Sequence, residues 1–362
     1  MNNIMPQCYI TGGAVRDTLL RLEPKDIDYV WTGITPEFLL SAGYKQVGAS
    51  FPVFLDHEGN EHALARTERK TGVGYHGFEV EFNSSITIEQ DLERRDCTFN
   101  SMAVNISDWD EFSNSRDTNM VIDPFHGISD LHSRVIRHTS FAFCQDPIRV
   151  LRVARFSARY GYNVDAKTLE LMEAIAPELN HVPTERIWQE LSKGLMERYP
   201  DRMFNVLQEC GALDIDIMKP FNKFSLNGLH KTNNDIIPIK FALCAIGFQN
   251  NDYDTLSIPN DCKNLSKLLN NHINDLYKYS SLSPEEKLKI FTNCHAFNNL
   301  DNLNLLLHTF ELISDNDIRY IVLSDIHKLN QISIQEIIES CSTGQEIKEK
   351  LYNKRIGELH EK

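Results

Sequence analysis

Asp26 and Asp28 stand two positions apart in "KDIDYV". On a β-strand, residues i and i+2 point to one face, so the spacing predicts two carboxylates side by side. Anions that close repel unless a cation lies between them. Mg²⁺ takes oxygen ligands and shares them with substrate phosphates. A pair of such ions activates a hydroxyl nucleophile and stabilises a leaving pyrophosphate. An Asp-x-Asp by itself is common in solvated turns, and its weight here comes from what precedes it. Gly12 and Gly13 follow the apolar run "CYIT". Lacking Cβ, they let backbone N–H groups approach a triphosphate, and the N-terminus of a following helix favours the same charge. Arg16, one turn on, is placed to pair with a phosphate. Asp17 is placed to hydrogen-bond the loop or to position Arg16. The plainer reading is an ordinary strand-to-helix turn.

Two further constellations follow. In "DLERRDCTFNSMAVN" (91–105), Arg94 and Arg95 could meet phosphates. Asp96 and Asn100 could meet a ribose hydroxyl or hold the arginines; the alternative is a solvated charge run. In "QDPIRVLRVARFSAR" (145–159), Arg149, Arg152, Arg155 and Arg159 share one helix face, while Ile148, Val150, Leu151, Val153 and Phe156 are available to pack. Phosphates would satisfy such a face, as would salt bridges. Asp146 and Arg149 also suggest base reading: a carboxylate accepts hydrogen bonds and a guanidinium donates them. Cytosine offers its N4 amino group beside the N3 acceptor, and adenine offers N6 beside N1. The pair would accept C or A and reject U and G, whose O4 and O6 would face the carboxylate.

These residues need a scaffold. "YITGG" and "DIDYVWTG" predict strands flanking the helix "AVRDTLLRL", and "FPVFLDHEGNEHALAR" predicts a hairpin turning at Glu58-Gly59-Asn60. Residues 105–120 are polar and unpatterned, which predicts a loop. "DPFHGISDL" (123–131) predicts a structural turn bracing the sheet. From about 141 the chain turns helical, with "DPIRVLRVARFSARYGY", "DAKTLELMEAIAPEL", "PTERIWQELSKGLM" and "PDRMFNVLQECGAL" carrying helix start and stop signals. Beyond 221 the helical segments are "KNLSKLLNNHINDLYKYSS", "SPEEKLKIFTNCHAF" and "ISIQEIIESCSTGQEIKEKLYNK". No repeat recurs at a fixed period.

The 362 residues and 41% hydrophobic content suffice for one to three domains with real cores. No run of eighteen apolar residues predicts a membrane span, and "MNNIMPQCYI" lacks the pattern of a secretory signal. Eight scattered cysteines without a C-x-x-C predict reduced thiols in a cytosol. A net charge of -14 argues against generic nucleic-acid binding. A local positive face remains open: residues 131–205 carry eleven Lys/Arg against nine Asp/Glu.

The ordered set "GGAVRD…DID", "RRDCTFNSMA", "DPFHGISDL", "DPIRVLRVARF" and "PTERIWQEL" resembles the class II tRNA nucleotidyltransferases, the CCA-adding enzymes of the DNA polymerase β superfamily. The resemblance covers roughly residues 8–215. "GYKQVGASFPVFL" and "ALARTERKTGVGYHGF" are similar to the gammaproteobacterial branch. The resemblance implies an α+β fold: a nucleotidyltransferase head with a small mixed sheet (1–140), a helical neck that selects the nucleotide and binds RNA (141–215), and a helical, tRNA-binding body and tail (216–362). It implies addition of C, C and A to the tRNA 3′ end from CTP and ATP, with no membrane and no obligate protein partner. Asp26 and Asp28 would bind Mg²⁺. Gly12, Gly13, Arg16, Arg95, Asp96 and Asn100 would form the nucleotide site, with Gly13, Arg16 and Arg95 on the triphosphate. Asp146 and Arg149 would read the base, with Arg152 and Arg155 nearby. Glu185 and Arg186 would brace the reading helix. Residues 66–77 would form the loop that switches CTP to ATP, and Glu61 would be a third carboxylate.

Two departures from the family pattern stand out. Gln145 replaces the usual Glu, keeping hydrogen bonding but losing charge. "FALCAIGFQN" (241–250) has Ala245 and Ile246 where the branch carries the His-Asp metal pair of a phosphohydrolase, and His230, His272, His295, His308 and His327 lack metal-ligand spacing. The phosphohydrolase activity is therefore expected to be absent. The stretch 105–120 has no counterpart in the family pattern. The alternatives are a poly(A) polymerase, an enzyme adding only A, and a non-catalytic RNA-binding protein on the same fold.

Overall fold

The computed structural model describes residues 5–47, 53–70, 78–81, 83–223, 228–232 and 236–360. The chain divides into two compact units, Met1–Met218 and Lys219–Lys362. In the first unit β1 (Gln7–Thr11) leads through Gly12 into helix α1 (Gly13–Leu19), and β2 (Asp28–Thr32) returns antiparallel to β1 with Thr11 opposite Asp28. Helix α2 (Pro36–Ser41) begins at Pro36, a residue suited to the first turn because its missing N–H would have no partner there. Strands β3 (Lys45–Val47), β4 (Val53–Leu55) and β5 (Glu61–Leu64) follow, β4 and β5 forming the expected antiparallel hairpin. In its turn the Asp56 carboxylate accepts from the N–H groups of Glu58 (2.9 Å) and Asn60 (2.8 Å).

Strand β6 (Thr67–Lys70) pairs antiparallel with β7 (Phe78–Glu81). The expected switching loop 66–77 is thus strand over Thr67–Lys70, and its remainder, 71–77, lies outside the described residues. Helix α3 (Ile88–Glu93) opens on a capping box between Thr87 and Gln90. After it come β8 (Ala103–Asn105) and helix α4 (Trp109–Ser115). The main sheet is mixed, in the order β3-β4-β5-β2-β1-β8, with β2 parallel to β5. Tyr9, Val30, Ile88, Leu92 and Ala103 form one of its cores.

Helix α4 corrects the expected loop at 105–120. Phe112 is fully buried and Trp109 packs on it with ring centroids 5.6 Å apart, so two aromatics at i and i+3 supply a packing face that surrounding polarity hid.

Helix α5 (Gly127–Ser133) takes up the second half of the 123–131 segment, where a turn was expected. Asp123 accepts from the N–H groups of Gly127 (2.7 Å) and Ile128 (3.0 Å), and Asp130 accepts from the Thr98 hydroxyl (2.7 Å). A Cβ on Gly127 would lie 2.3 Å from the carbonyl oxygen of Thr98, so only glycine permits that approach. Strand β9 (Val135–Ile136) pairs with β10 (Asn163–Val164) around helix α6 (Arg149–Tyr160), which ends at Gly161 with φ +71°. Helices α7 (Ala166–Ile175), α8 (Thr184–Leu195) and α9 (Pro200–Glu209) complete the unit as their start and stop signals predict.

The second unit is helical: α10 (Ile237–Cys244), α11 (Asn260–Tyr277), α12 (Pro284–Asn293), α13 (Asp301–Ile313), α14 (Arg319–Asn330), α15 (Ile334–Glu339) and α16 (Gly344–His360). Leu269, Leu276, Phe291, Leu306, Phe310 and Val322 lie in its core. The single segment expected from 332 is split in two, because Ser333 and Thr343 each accept a backbone N–H at a new helix start (3.4 and 3.2 Å).

Candidate active site

Strand β1 ends at Thr11, and Gly12, the next residue, lines a cavity of about 560 Å³. Gly12 then turns with φ +68°, its N–H donating to the carbonyl of Met102 (2.9 Å). A Cβ at Gly12 would lie 2.6 Å from Nη1 of Arg95, so glycine answers both a left-handed backbone and a guanidinium packed against it. Arg95 donates from Nη2 to the Thr11 hydroxyl (2.8 Å) and to Asp91 (3.2 Å). Asp91 is completely buried; it also accepts from Arg94 (2.8 Å) and from the backbone N–H of Arg66 (3.2 Å). Burial works to raise the Asp91 pKa, but the two guanidinium groups outweigh it and hold it below the ordinary carboxylate value. Sequence reasoning overlooked Asp91. Its signal was the position three and four residues before two arginines on a helix with a capping box.

Arg16 and Asp17 sit at the start of a buried polar chain. Arg16 donates to Asp17 (2.8 Å) and to the side-chain oxygen of Asn100, whose amide donates to Asp96 (2.8 Å). Asp96 accepts from Arg152 (2.8 Å). Glu190 on α8 accepts from Arg155 (2.6 Å) and lies 3.9 Å from Arg152. Arg159 and the Tyr160 hydroxyl both reach Asp17 at 3.2 Å. Asp96 and Asn100 therefore hold arginines, one of the two roles expected for them. Burial acts to raise the Asp96 pKa; Arg152, Asn100 and Arg149 overcome it and keep the carboxyl well below its usual range. Beside Asp96, Arg152 is held charged more firmly than usual.

The arginine face of α6 thus takes protein partners: Arg152, Arg155 and Arg159 pair with carboxylates. Salt bridges, the alternative to phosphates, thus satisfy these three, and all three still line the cavity. Glu190 was missed because its partners lie 35 and 38 residues earlier and only the α6–α8 packing joins them.

The base-reading candidates lie in the same wall. Asp146 accepts from Arg186 of α8 (3.0 Å) and from the Ile148 N–H (3.2 Å). Arg149, only 7% exposed, donates to the carbonyls of Ala142 (2.8 Å) and Arg94 (2.5 Å). Arg186 thus holds the Asp146 carboxylate directly.

Asp28 is the first residue of β2, exposed, and part of the cavity wall, whereas Asp26 is exposed in the segment before the strand. Strand periodicity therefore does not govern Asp26, which corrects the argument from i and i+2. Glu61, the first residue of β5, joins Asp28 in the wall; their neighbours Tyr29 and His62 are paired across the parallel strands. Among the described residues no three His, Cys, Asp or Glu side chains gather to hold a metal ion. Asp28 and Glu61 bring two carboxylates to this part of the wall, and oxygen donors of that kind suit a hard divalent cation.

The chain is similar to known proteins over both its sequence and its fold. Residues 8–137 match the model of the poly A polymerase head domain, and residues 161–217 that of a probable RNA- and SrmB-binding site of polymerase A. A multifunctional CCA protein of Methylobacillus flagellatus is 39% identical over 336 residues, covering 80% of this chain and 79% of that protein. One from Aliivibrio salmonicida is 32% identical, covering 97% of both. Among solved structures, the Bacillus stearothermophilus CCA-adding enzyme in complex with CTP superposes with a TM-score of 0.69 at 21% identity, covering 97% of this chain and 88% of that one. The Thermotoga maritima CCA-adding enzyme complexed with tRNA superposes with a TM-score of 0.67 at 21% identity, over 98% and 87% of the two chains.

Proposed function

Because this chain belongs to the family of the multifunctional CCA proteins, we propose that it extends the 3′ end of tRNA by C, C and A, taking CTP and ATP and releasing pyrophosphate without a nucleic-acid template. One observation carries the reading. A single cavity is lined by Gly12, Gly13, Arg16 and Arg95, by Asp28, and by Asp146 and Arg149, so both ends of one nucleotide are served at once. The relatives and solved structures bearing this activity in their names support it.

In this reading Gly13, Arg16 and Arg95 receive the triphosphate, with Asp91 and Asn100 keeping the two guanidinium groups in place. Asp26 and Asp28 hold a divalent cation, which we assign as Mg²⁺ from the all-oxygen donor set. That cation supplies activation of the terminal hydroxyl and neutralisation of the leaving charge. Asp146 accepts the amino hydrogen of cytosine or adenine once Arg186 has released it, and Arg149 donates to N3 or N1.

The head (1–140), neck (141–215) and body with tail (216–362) divide the work, the last binding tRNA. The protein acts in the cytosol, where its eight free cysteines stay reduced. Among the described residues no helix is long and apolar enough to cross a membrane.

The test is incorporation of labelled CTP and ATP into a tRNA transcript ending at the discriminator base, with Mg²⁺. Two C and one A followed by a stop support the proposal; incorporation at the wild-type rate by Asp26→Ala and Asp28→Ala variants refutes the site. A second reading, poly(A) polymerase, is favoured by the head-domain match and would give a growing tail from ATP alone.

A further inference from the structure

We propose that a second groove in the first unit, built partly by α4, holds the primer RNA close to its 3′ end. Its volume is about 510 Å³, and Arg21, Glu23, Ile27, Trp109, Ser113 and Arg116 lie in its wall. Ile27 stands between Asp26 and Asp28 in the chain, so the wall of this groove takes the residue next to each carboxylate, while the wall of the nucleotide cavity takes Asp28 but not Ile27. The inference rests on the nucleotidyltransferase reading, which requires an RNA hydroxyl at those carboxylates.

The chemistry of the wall is that of a single-strand RNA site. The wall carries two arginines and one glutamate. The Trp109 indole, half-buried on Phe112, offers a flat surface on which a base of any identity stacks. Arg21 is exposed, and its guanidinium has no partner among the described residues. Arg116 is anchored by its Nε, which donates to the carbonyl of Thr18 (3.2 Å) and so aims the exposed guanidinium from α4 toward α1.

Both arginines occupy left-handed backbone, φ +59° and +57°. Arg21 follows the end of α1 in a Schellman-type closure, with its own N–H on Thr18 (3.0 Å) and that of Leu22 on Asp17 (2.8 Å); Arg116 caps α4. Helix ends of this form favour Gly or Asn. Here two cations stand at them, both facing one groove.

That placement makes the test independent of folding, because Asn tolerates left-handed backbone better than Arg. Arg21→Asn with Arg116→Asn, and separately Trp109→Ala, are compared with wild type on the full chain. The probe is a tRNA transcript ending at the discriminator base. The double variant should raise KM for the transcript about 10-fold, with kcat and KM for CTP unchanged. It should also flatten the dependence of log affinity on log salt by about 1.4, two phosphate contacts at roughly 0.7 each. Trp109→Ala should weaken the transcript by about 10-fold through lost stacking. The fluorescence quench that the transcript causes in wild type should be smaller in Trp109→Phe. Wild-type KM, salt slope and quenching in these variants overturn the proposal and leave the groove to a protein ligand. Failure of the wild-type chain to bind or extend any transcript overturns the nucleotidyltransferase reading instead.

Discussion

Asp146 carries the most specific claim made of any single residue. Its carboxylate holds Arg186 at 3.0 Å, so a protein guanidinium stands where a base amino group would donate. In the proposed reading, removing the carboxylate would leave the triphosphate residues untouched but take away the acceptor that separates C and A from U and G. Asp146→Ala is expected to lower the preference for CTP and ATP over UTP and GTP by about 10–100-fold, given 1–3 kcal/mol for a good base-edge contact. Competition among the four nucleoside triphosphates at fixed tRNA measures it. Equal loss for all four would place Asp146 in the support of the site rather than in selection. The type and spacing of Asp146 and Arg149 were legible in the sequence. The hold of Arg186 on Asp146 was not, because its position 40 residues on says nothing about distance.

At the level of elements, α6 and α8 are joined by charge as well as by apolar packing. Arg155 and Glu190 are 8% and 7% exposed, and their pair measures 2.6 Å. Breaking such a pair strands one buried charge and costs about 3–5 kcal/mol, whereas replacing both groups with apolar side chains of similar volume is close to neutral. Arg155→Ala should therefore destabilise the chain strongly, and Arg155→Met with Glu190→Leu should recover most of the loss. Urea denaturation of wild type, Arg155→Met, Glu190→Leu and the double variant closes the cycle, and additive losses would show that the two groups do not depend on each other. The arginine face of α6 was visible as a spacing of three, three and four; that its partners are carboxylates emerged only when α8, α1 and the 3₁₀ turn after α3 were packed against it.

The whole molecule joins a unit with the nucleotide cavity to a helical unit in which Ala245 is buried at the end of α10 and Ile246 is half-buried. We propose that this second unit has no phosphohydrolase activity, since those two side chains offer a metal no ligand. No hydrolysis of p-nitrophenyl phosphate above blank is expected with Mg²⁺, Mn²⁺ or Ni²⁺, and metal-dependent turnover would refute it. His272 is instead structural: it is 1% exposed, its ring lies 2.9 Å from the Asn293 amide and 3.4 Å from Asp275, and burial lowers its pKa below the ordinary 6.5. A depressed histidine binds fewer protons folded than unfolded. Its contribution is present above pH 6.5 and is lost as the pH falls below that value toward the folded pKa. Stability should decline between pH 7 and pH 5, and His272→Gln should flatten part of that decline; an unchanged slope would remove His272 from the account.

Short-range chemistry was determined by the sequence alone. The Gly-Gly turn into α1, the paired arginines after α3 and the helix from Arg149 to Gly161 each follow from contacts a few residues apart. Turn, cap and periodicity rules describe such contacts. The α+β character, with a small sheet before a helical remainder, followed from the same signals. Only the tertiary structure decided which charge meets which. Asp91 serves two arginines at the cavity, and Asp96 and Glu190 take arginines 56 and 35 residues away. Trp109 and Phe112 make a helix of a polar stretch. These outcomes depend on burial, which removes water as the competing partner and so makes one particular pairing strong. Burial is a property of the packed molecule and of no local segment.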